Sequence, residues 1–284
     1  MYKITMKEKL TNDIKLMGIQ APHITKNAKA GNFIVLINDE KGERIPLTIY
    51  DWDSEKGIVY TIFQEVGVST IKLGQREPGE SIYAAAGPMG KPFHIEKFGH
   101  TVIIGGGVGV PAIYPIARAL TEAGNKVTSI TGFRTKELII LEEEMKRVSE
   151  NVLVATNDGS YGVKGFVTDV LRDMIDKGGK IDAVAAVGPA VMMKAVSDLT
   201  AKYNIHTIVS LNAVMVDGTG MCGGCRVTVG GEVKYSCVDG PDFNAHEVDF
   251  NELLSRQSAY KDEEKESLHS CRLDGRIKEA PKND

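Results

Sequence analysis

Long hydrophobic runs are missing from this sequence. Its longest apolar stretches, such as Ala183 to Met193, fall short of the roughly 18 residues that a membrane span needs, so we expect no transmembrane segment. A signal peptide is not indicated either, because the first ten residues, MYKITMKEKL, carry charges where its apolar centre would lie. We therefore expect a cytoplasmic protein.

A strong charge of one sign is also missing. The 284 residues include 34 Lys+Arg and 38 Asp+Glu, for a formal net charge of -4. No global basic field exists to hold nucleic acid or an anionic membrane, and both partners are excluded on this ground. With 42% hydrophobic residues the chain has ordinary globular composition, and its length predicts two domains with a sizeable core.

Cysteine is scarce and unevenly placed. Of four cysteines, Cys222, Cys225 and Cys237 fall within one short glycine-rich segment, whereas disulfide staples would be spread along the chain. Clustered thiols in a reducing compartment indicate a metal site. Cys271 lies in the polar tail and is interpreted as a free surface thiol.

Two patterns of apolar runs divide the chain. Up to about residue 97, short β-type runs alternate with turn residues, which predicts a small antiparallel barrel or sandwich. From His100 onward, apolar runs alternate with helix-like stretches, as in a parallel α/β sheet. The β-type runs are 32–38, 44–49, 58–64 and 81–85, and the sheet runs are 101–104, 126–131, 151–155, 183–187 and 207–211.

The cysteine spacing, Cys222-x2-Cys225-x11-Cys237, is the strongest signal in the sequence. Plant-type [2Fe-2S] loops have the spacing C-x4-C-x2-C followed by a distant cysteine. Asp217 occupies the position of the first cysteine, and its carboxylate is able to complete a four-ligand shell. A three-cysteine zinc site and a glycine-rich turn with incidental thiols remain alternatives.

A second motif follows the first run of the predicted sheet. Residues 101–104 and the segment GGGVGVPAIYPIARAL form a strand, turn and helix pattern, in which backbone N–H groups would face a diphosphate. The dinucleotide fingerprint matches at Gly105 and Gly107 but has valine at position 110, so a tight turn without a ligand remains an alternative. Further loops at 132–137, 156–162 and 188–189 follow predicted strands and would line one crevice.

The order of the motifs along the chain resembles that of a known superfamily. In order, RIPLT (44–48), EVGVST (65–70), GPMGKPF (87–93), GGGVGVP (105–111), VGPAVMM (187–193) and the Cys segment resemble the ferredoxin-reductase superfamily. The chain is most similar to the branch that holds the electron-transfer subunit of dihydroorotate dehydrogenase and the small subunit of NADH-dependent ferredoxin:NADP oxidoreductase. Asp217 resembles the second group, because dihydroorotate-type subunits carry cysteine at this position.

This resemblance implies an N-terminal antiparallel β-barrel that binds FAD (1–97), an α/β Rossmann-like domain that binds NAD(H) (98–215), a [2Fe-2S] segment (216–250) and a C-terminal tail (251–284). The mixed charges of the tail predict one solvated helix in its first half, and the tail would be a docking arm or a disordered terminus. The implied cluster ligands are Asp217, Cys222, Cys225 and Cys237. The implied cofactor contacts are Arg44, Ile45, Pro46, Leu47, Thr48, Ile62, Phe63, Gln64, Gly67, Ser69, Thr70, Gly87, Gly105, Gly107, Val108, Gly109, Arg134, Asp158, Gly188 and Pro189.

Two positions depart from the superfamily pattern. Ile45 stands where an arginine is usual, with Arg44 one residue earlier, and Val187 stands where many relatives carry cysteine. No catalytic acid or base is therefore identified. Arg134 suits either a 2'-phosphate or the diphosphate, and the choice between NAD and NADP stays open.

The function implied by the resemblance is that of a flavin and iron-sulfur subunit of an electron-bifurcating oxidoreductase. Hydride would pass between NAD(H) and FAD, and single electrons would pass through the [2Fe-2S] centre. The partner would be a large flavin and [4Fe-4S] subunit that binds NADP and ferredoxin. The alternatives are the electron-transfer subunit of dihydroorotate dehydrogenase and, from another class, a non-enzymatic zinc-stabilised nucleotide-binding module.

Overall fold

The computed structural model describes residues 1–273, so the part of the tail prediction that concerns residues 274–284 lies outside the described residues. The first part of the chain is antiparallel, with sheet orders β5-β6-β2-β1-β7 and β4-β3-β8. Its strands are β1 (Tyr2–Lys9), β2 (Ile14–Gln20), β3 (Phe33–Ile37), β4 (Arg44–Thr48), β5 (Asp51–Asp53), β6 (Ile58–Gln64), β7 (Ser81–Ile82) and β8 (Ala84–Met89), and its helices are α1 (Pro22–Thr25) and α2 (Val68–Gly74).

Alternating side chains explain why the two antiparallel sheets share one core. Ile4 of β1 pairs with Ile19 of β2, and both are fully buried, as is Leu36 of β3. Phe63 of β6 joins the same cluster. Burial of the strand faces that meet in this cluster holds the two sheets together as the predicted antiparallel barrel.

The second part of the chain is an α/β unit. Its strands are β9 (His100–Gly106), β10 (Lys126–Phe133), β11 (Asn151–Thr156), β12 (Val163–Lys164), β13 (Ala183–Val187) and β14 (His206–Ser210), and its helices are α3 (Val110–Glu122), α4 (Glu142–Val148), α5 (Val167–Asp176) and α6 (Ala190–Ala201). The last part contains β15 (Arg226–Val229), β16 (Glu232–Tyr235), β17 (Asp242–Asn244), α7 (Phe250–Gln257) and α8 (Lys261–Leu273).

The large sheet has the order β12-β11-β10-β9-β13-β14-β17, and all of its pairs are parallel except β14 with β17. The first strand in the chain, β9, therefore lies in the middle, with later strands on both sides. The strand order reverses between β9 and β13, where Gly105 pairs with Val187. Open α/β sheets bind ligands at the carboxyl ends of strands that flank such a reversal. The confirmed α/β architecture thus places a crevice beside both glycine turns.

Two local predictions need correction. The sequence IFQEVGVST (62–70) by itself predicts a strand, but β6 ends at Gln64 and α2 begins at Val68. Gly67 caps this helix, and the Thr70 hydroxyl accepts the backbone N–H groups of Val66 and Gly67. The start of the tail is not a solvated helix, since Phe250 and Leu253 of α7 are buried against the core. Helix α8, in contrast, has no buried residue. Among residues 1–273, no helix has both the length and the apolar character that a bilayer span requires.

Arg118 joins the barrel to the α/β unit. From α3 its guanidinium donates to Oδ1 of Asp51 on β5 at 2.9 Å, and its Cζ lies 5.3 Å from the centre of the Trp52 ring. The Tyr114 ring lies on the helix side at 5.4 Å. The partly buried ion pair and the two aromatic rings together fix one orientation of α3 against β5.

We expect Arg118→Ala to lower the free energy of unfolding by about 1–2 kcal/mol, because both the ion pair and the cation–π contacts are lost. The measurement is denaturant or thermal unfolding of the full chain. Arg172→Ala is the matched control, since Arg172 pairs with Asp169 on the exposed face of α5 at 3.3 Å and should change stability very little. Equal losses in the two variants would contradict a bridging role for Arg118.

Candidate functional site

The glycine turns after β9 and β13 are in contact. A Cβ atom on Gly109 would lie 2.2 Å from the carbonyl oxygen of Val187, and one on Gly188 would lie 3.1 Å from the backbone N of Gly106. Gly109 therefore requires glycine, because any side chain would force the turns apart, and a side chain at Gly188 would be unusually tight. The predicted pair Gly188 and Pro189 is thus brought against the predicted turn at 105–109.

Helix α3 begins directly at this contact. A single 3-10 turn, Gly107–Gly109, leads into Val110, and Pro111 occupies the first helical turn as expected. The N-terminus of a helix leaves backbone N–H groups without helical partners, and these groups favour an anion. Val108, which is 42% exposed, lies on the open side of the turn.

Two further loops meet at the carboxyl ends of β10 and β11. The backbone N–H of Asp158 donates to the carbonyl oxygen of Arg134 at 3.3 Å, so the two predicted contact residues are adjacent. The Asp158 carboxylate accepts the Ser160 hydroxyl and backbone N–H, and these hydrogen bonds lower the pKa of Asp158. Asp158 is therefore an ionised acceptor, the kind of group that binds sugar hydroxyls.

A cavity of about 220 Å³ lies where the three parts of the chain meet. The barrel contributes the predicted residues Pro46, Leu47 and Thr48, and β13 contributes Val187. Sequence reasoning missed the rest of the wall. The additional lining residues are Gly31, Phe33, Ala112, Ile116, Ser210, Leu211, Asn212, Ala213, Met215 and Pro241.

Among these additional lining residues, only those at 210–213 could have been predicted from the sequence. Residues 210–213 follow a predicted strand, and the carboxyl ends of parallel strands are where ligands bind. Gly31 and Phe33 carry no such signal, because their position depends on how the barrel docks on the sheet. A mostly apolar wall with a few polar atoms is typical of a site for a flat ring.

The other predicted barrel contacts lie outside this lining. Ile45, Ile62 and Phe63 are buried in the hydrophobic core, and Arg44 is exposed at the start of β4. The Gln64 amide donates to Asp13 at 2.6 Å. None of these side chains is among the residues that line the cavity.

A second group of predicted residues lies around α2. Gly67 caps this helix, Thr70 closes the cap, and the Ser69 hydroxyl donates to the carboxylate of Glu43. The backbone carbonyl of Ser69 accepts the Asn38 amide at 2.9 Å, which ties the helix to β3. Gly87 lies in β8, beside Ile34 of the neighbouring strand.

The loop that carries the cysteines is organised by Asp217. Its carboxylate accepts the backbone N–H of Thr219 at 2.8 Å, the Thr219 hydroxyl, and the backbone N–H of Cys222 at 3.1 Å. These hydrogen bonds, led by that of the Thr219 hydroxyl, lower the pKa of Asp217 to about 2. Asp217 is thus ionised at neutral pH and held beside Cys222.

Cys225 and Cys237 are brought together. Both are 2% exposed, and their Sγ atoms lie 3.1 Å apart as free thiols. Burial, followed by the Cys225 hydrogen bond, raises the pKa of the Cys237 thiol to about 12. The charge of Asp217 acts on the pKa of Cys237 in the same direction.

Cys222 is the exposed member of the set. Its sulfur accepts the backbone N–H of Gly224 at 3.4 Å, and within residues 1–273 no three ligand-type side chains already converge on one point. The donor set nevertheless fits an iron-sulfur cluster, because it consists of three free thiols and an ionised carboxylate on a glycine loop whose N–H groups face sulfur. Arg256 of α7 anchors this loop by donating to the carbonyl oxygen of Gly224 at 2.9 Å.

A larger groove of about 700 Å³ lies elsewhere, between the barrel and α3. Trp52, Phe93 and Arg118 are among its lining residues. Arg118 is already paired with Asp51, and neither predicted glycine turn is among the residues that line this groove. The cavity at the three-part junction remains the candidate site.

These features define the class. A barrel docked on a parallel sheet with glycine turns, followed by a thiol loop, is the architecture of ferredoxin-reductase-like oxidoreductases. Residues 103–198 match the oxidoreductase NAD-binding domain, and residues 212–249 match the iron-sulfur cluster binding domain of dihydroorotate dehydrogenase B.

Whole-chain comparisons agree with the domain matches. The chain is 45% identical over 263 residues to the dihydroorotate dehydrogenase B (NAD(+)) electron transfer subunit homolog of Thermotoga maritima, covering 93% of each chain. It is 48% identical over 272 residues to an uncharacterized protein in the adh 3' region of Clostridium beijerinckii, covering 93% of this chain and 92% of the relative. The chain belongs to the family of dihydroorotate dehydrogenase B electron-transfer subunits and their homologues.

One solved structure of an oxidoreductase matches nearly the whole chain. The NADH-dependent reduced ferredoxin-NADP oxidoreductase, studied for flavin-based electron bifurcation, contains a chain that is 43% identical to this one. The TM-score is 0.90, with 95% of this chain and 97% of that chain covered. The predicted superfamily and fold are therefore confirmed.

The two thiol environments predict different reactivities. In cluster-free protein, we expect iodoacetamide to modify the exposed Cys222 at least about tenfold faster than Cys225 or Cys237, because burial hinders access and the raised pKa keeps Cys237 protonated. Peptide mass spectrometry over time measures the rates, and Cys271 provides a comparison outside the loop. Equal rates at all three loop cysteines would show that the buried pair does not form in solution.

Proposed function

We propose that this chain is the NAD(H)-oxidising flavin and iron-sulfur subunit of a heteromeric, electron-bifurcating NADH-dependent ferredoxin:NADP oxidoreductase. One observation carries the proposal: a single cavity is lined by the barrel, by the carboxyl edge of the parallel sheet, and by the segment that leads into the thiol loop. Met215 lines this cavity two residues before Asp217. A ring held there is therefore next to both a nucleotide crevice and a candidate cluster.

The barrel and the sheet would divide the binding of FAD and NAD(H). Pro46, Leu47 and Thr48 form the barrel wall of the cavity at the three-part junction, here called the ring cavity. Ser69 and Thr70, at the start of α2, would contact a diphosphate. On the sheet side, the turn at 105–109 faces the second diphosphate, and Arg134 and Asp158 lie at the sugar end. When bound, the flavin supplies hydride and single-electron chemistry, for which the protein provides orientation.

The thiol loop would hold the [2Fe-2S] cluster through Asp217, Cys222, Cys225 and Cys237. This assignment is supported by the buried pair of Cys225 and Cys237 and by the ionised carboxylate of Asp217, which accepts the backbone N–H of Cys222. Glycines in the loop leave N–H groups free to approach sulfur, which stabilises negative charge on a cluster. The free thiols support a reducing, cytoplasmic setting.

An exposed apolar rim surrounds the loop and supports docking of a large flavin and [4Fe-4S] subunit. Met221 is 89% exposed, Val216 is 59% exposed and Val238 is 40% exposed. Apolar side chains next to an exposed ligand suit a contact surface, because a centre that exchanges electrons with another protein must lie near it. The partner subunit would carry the sites for NADP and ferredoxin.

The electron-transfer subunit of a dihydroorotate dehydrogenase is the second candidate. It is favoured by the names of several relatives, including the subunit of Bacillus caldolyticus at 33% identity over 253 residues. Asp217 supports the first candidate, since dihydroorotate-type subunits resemble this chain but carry cysteine there. Identification of the copurifying large subunit separates the two.

Substitutions in the loop test the cluster assignment. Cys222→Ser should lose most iron, and Asp217→Cys should keep the cluster but lower its reduction potential, because a fourth thiolate stabilises the ferric state. Iron and labile sulfide are measured in protein made anaerobically, with about two sulfides expected per chain. Cys271→Ser is the control and should keep its iron. Zinc without sulfide in this protein would overturn the assignment.

The isolated chain should be functionally incomplete. We expect it to contain FAD, to pass electrons from NADH to an artificial dye faster than from NADPH, and to reduce neither ferredoxin nor NADP until the large subunit is added. Anaerobic absorbance assays with each acceptor measure this. Ferredoxin reduction by the single chain, free of a partner, would contradict the proposal.

Two substitutions, one in the apolar rim and one away from it, test whether the rim is the docking surface. Met221→Glu should weaken assembly with the large subunit while leaving dye reduction intact, because a charge would be buried at the contact. Tyr203→Glu, at a 44% exposed site after α6, should leave both properties unchanged.

A further inference from the structure

The carboxyl group of Asp242 is buried, and none of the assigned roles uses it. It is the first residue of β17, and both of its carboxylate oxygens are buried without a hydrogen bond of good geometry to any described residue. Burial raises the pKa of Asp242 to about 7, and the nearby Ser210 hydroxyl lowers it by a smaller amount. An unpaired buried carboxylate is costly, so such a group is retained against a free-energy penalty.

The surroundings of Asp242 are the walls of the ring cavity. Ser210 is its cross-strand neighbour at the end of β14, and a Cβ built on Gly31 would lie 3.1 Å from its Oδ2. Gly31, Ser210 and the preceding Pro241 all line the cavity, so the carboxyl group lies directly behind this wall. From the barrel side, Phe93 packs on Gly31.

Charged neighbours do not explain the raised pKa of Asp242. Ser210 is the polar side chain that faces it from β14, while Gly31 and Phe93 from the barrel and Pro241 from its own turn do not titrate. Within the described residues, burial and the Ser210 hydroxyl are the causes that set its ionisation, and no charged side chain is among them.

We propose that Asp242 is a positioning residue whose protonation state decides whether the Ser210 hydroxyl presents a hydrogen or a lone pair to the ring cavity. A neutral carboxyl group donates its own hydrogen to the Ser210 oxygen, which leaves the hydroxyl hydrogen free to point into the cavity. An ionised carboxylate only accepts, so it takes that hydrogen and turns the Ser210 lone pairs toward the cavity. No bond other than these hydrogen bonds is made or broken.

The inference rests on the proposed function, because it concerns the flavin ring in this cavity. The edge of an oxidised flavin ring offers more acceptor atoms than donors, so the ring is held more tightly when Ser210 donates. Retention should therefore be strongest at low pH, where Asp242 is neutral, and should weaken as the pH rises through the pKa of Asp242.

The test measures the rate of FAD release from the full-length, cluster-loaded chain after dilution, by recovery of flavin fluorescence, across pH. In the wild type, release should be about tenfold faster at pH about 8 than at pH about 6, the size of one exchanged hydrogen bond. Asp242→Asn should release FAD slowly at both pH values, because the amide is always neutral. Ser210→Ala should release it rapidly at both, because no hydroxyl remains.

A second readout does not depend on flavin release. Infrared spectra of the holoprotein should contain a protonated-carboxyl band that fades with rising pH and is missing in Asp242→Asn. Asp198→Asn, an exposed carboxylate paired with Lys194 at 2.8 Å, is the control and should keep both the band and the wild-type release profile.

The possible results distinguish failure of the role of Asp242 from failure of the proposed function. If the holoprotein contains FAD but Asp242→Asn keeps the wild-type pH profile and the carboxyl band, the inference is wrong and the proposed function stands. If the full-length chain binds no flavin, both are wrong. FAD release that does not change with pH in either variant, slow in Asp242→Asn and rapid in Ser210→Ala, would establish that Asp242 acts through Ser210.

Discussion

The pairing of β17 with β14 is the interaction on which the site depends. The backbone N–H of Leu211 donates to the carbonyl oxygen of Pro241 at 2.9 Å, so the chain between these residues leaves the sheet and returns to the same place. Everything that distinguishes this loop, including Asp217 and the three clustered cysteines, is held at the carboxyl edge of the sheet by that closure. The same pairing places Asp242 behind the cavity wall.

The three parts of the molecule are joined by shared cores rather than by linkers. Ile14 and Ile62 of the barrel lie in one hydrophobic cluster with Ile113 of α3, while Phe33 of the barrel lies in another with Cys225 and Phe250. Packed interiors resist small displacements, so the cavity between the parts keeps a fixed shape. A rigid junction of this kind suits electron transfer, for which the distance between bound groups must not vary.

The thiol loop combines a fixed half with an exposed half. Cys225 and Cys237 are buried and paired, whereas Cys222 is exposed beside the apolar residue Met221. Burial hinders access of solvent and oxidants to Cys225 and Cys237, whereas the thiol of Cys222 is open to the surroundings. The asymmetry has a direct physical basis in the chain, since Arg256 of α7 fixes Gly224 between the two halves.

The sequence by itself determined the barrel, the parallel sheet, the glycine turn before α3 and the spacing of the clustered cysteines, because each depends on residues close together in the chain. Period, turn residues and cysteine spacing report local backbone preferences. The sequence did not reveal the start of α2 at Val68 or the burial of α7, where capping and packing override the local pattern. Only the tertiary structure decided that Gly31, Ser210 and Pro241 form one wall and that Asp242 is buried behind it. These residues come from distant parts of the chain, and the docking of the barrel on the sheet, which brings them together, leaves no periodic signal in the sequence.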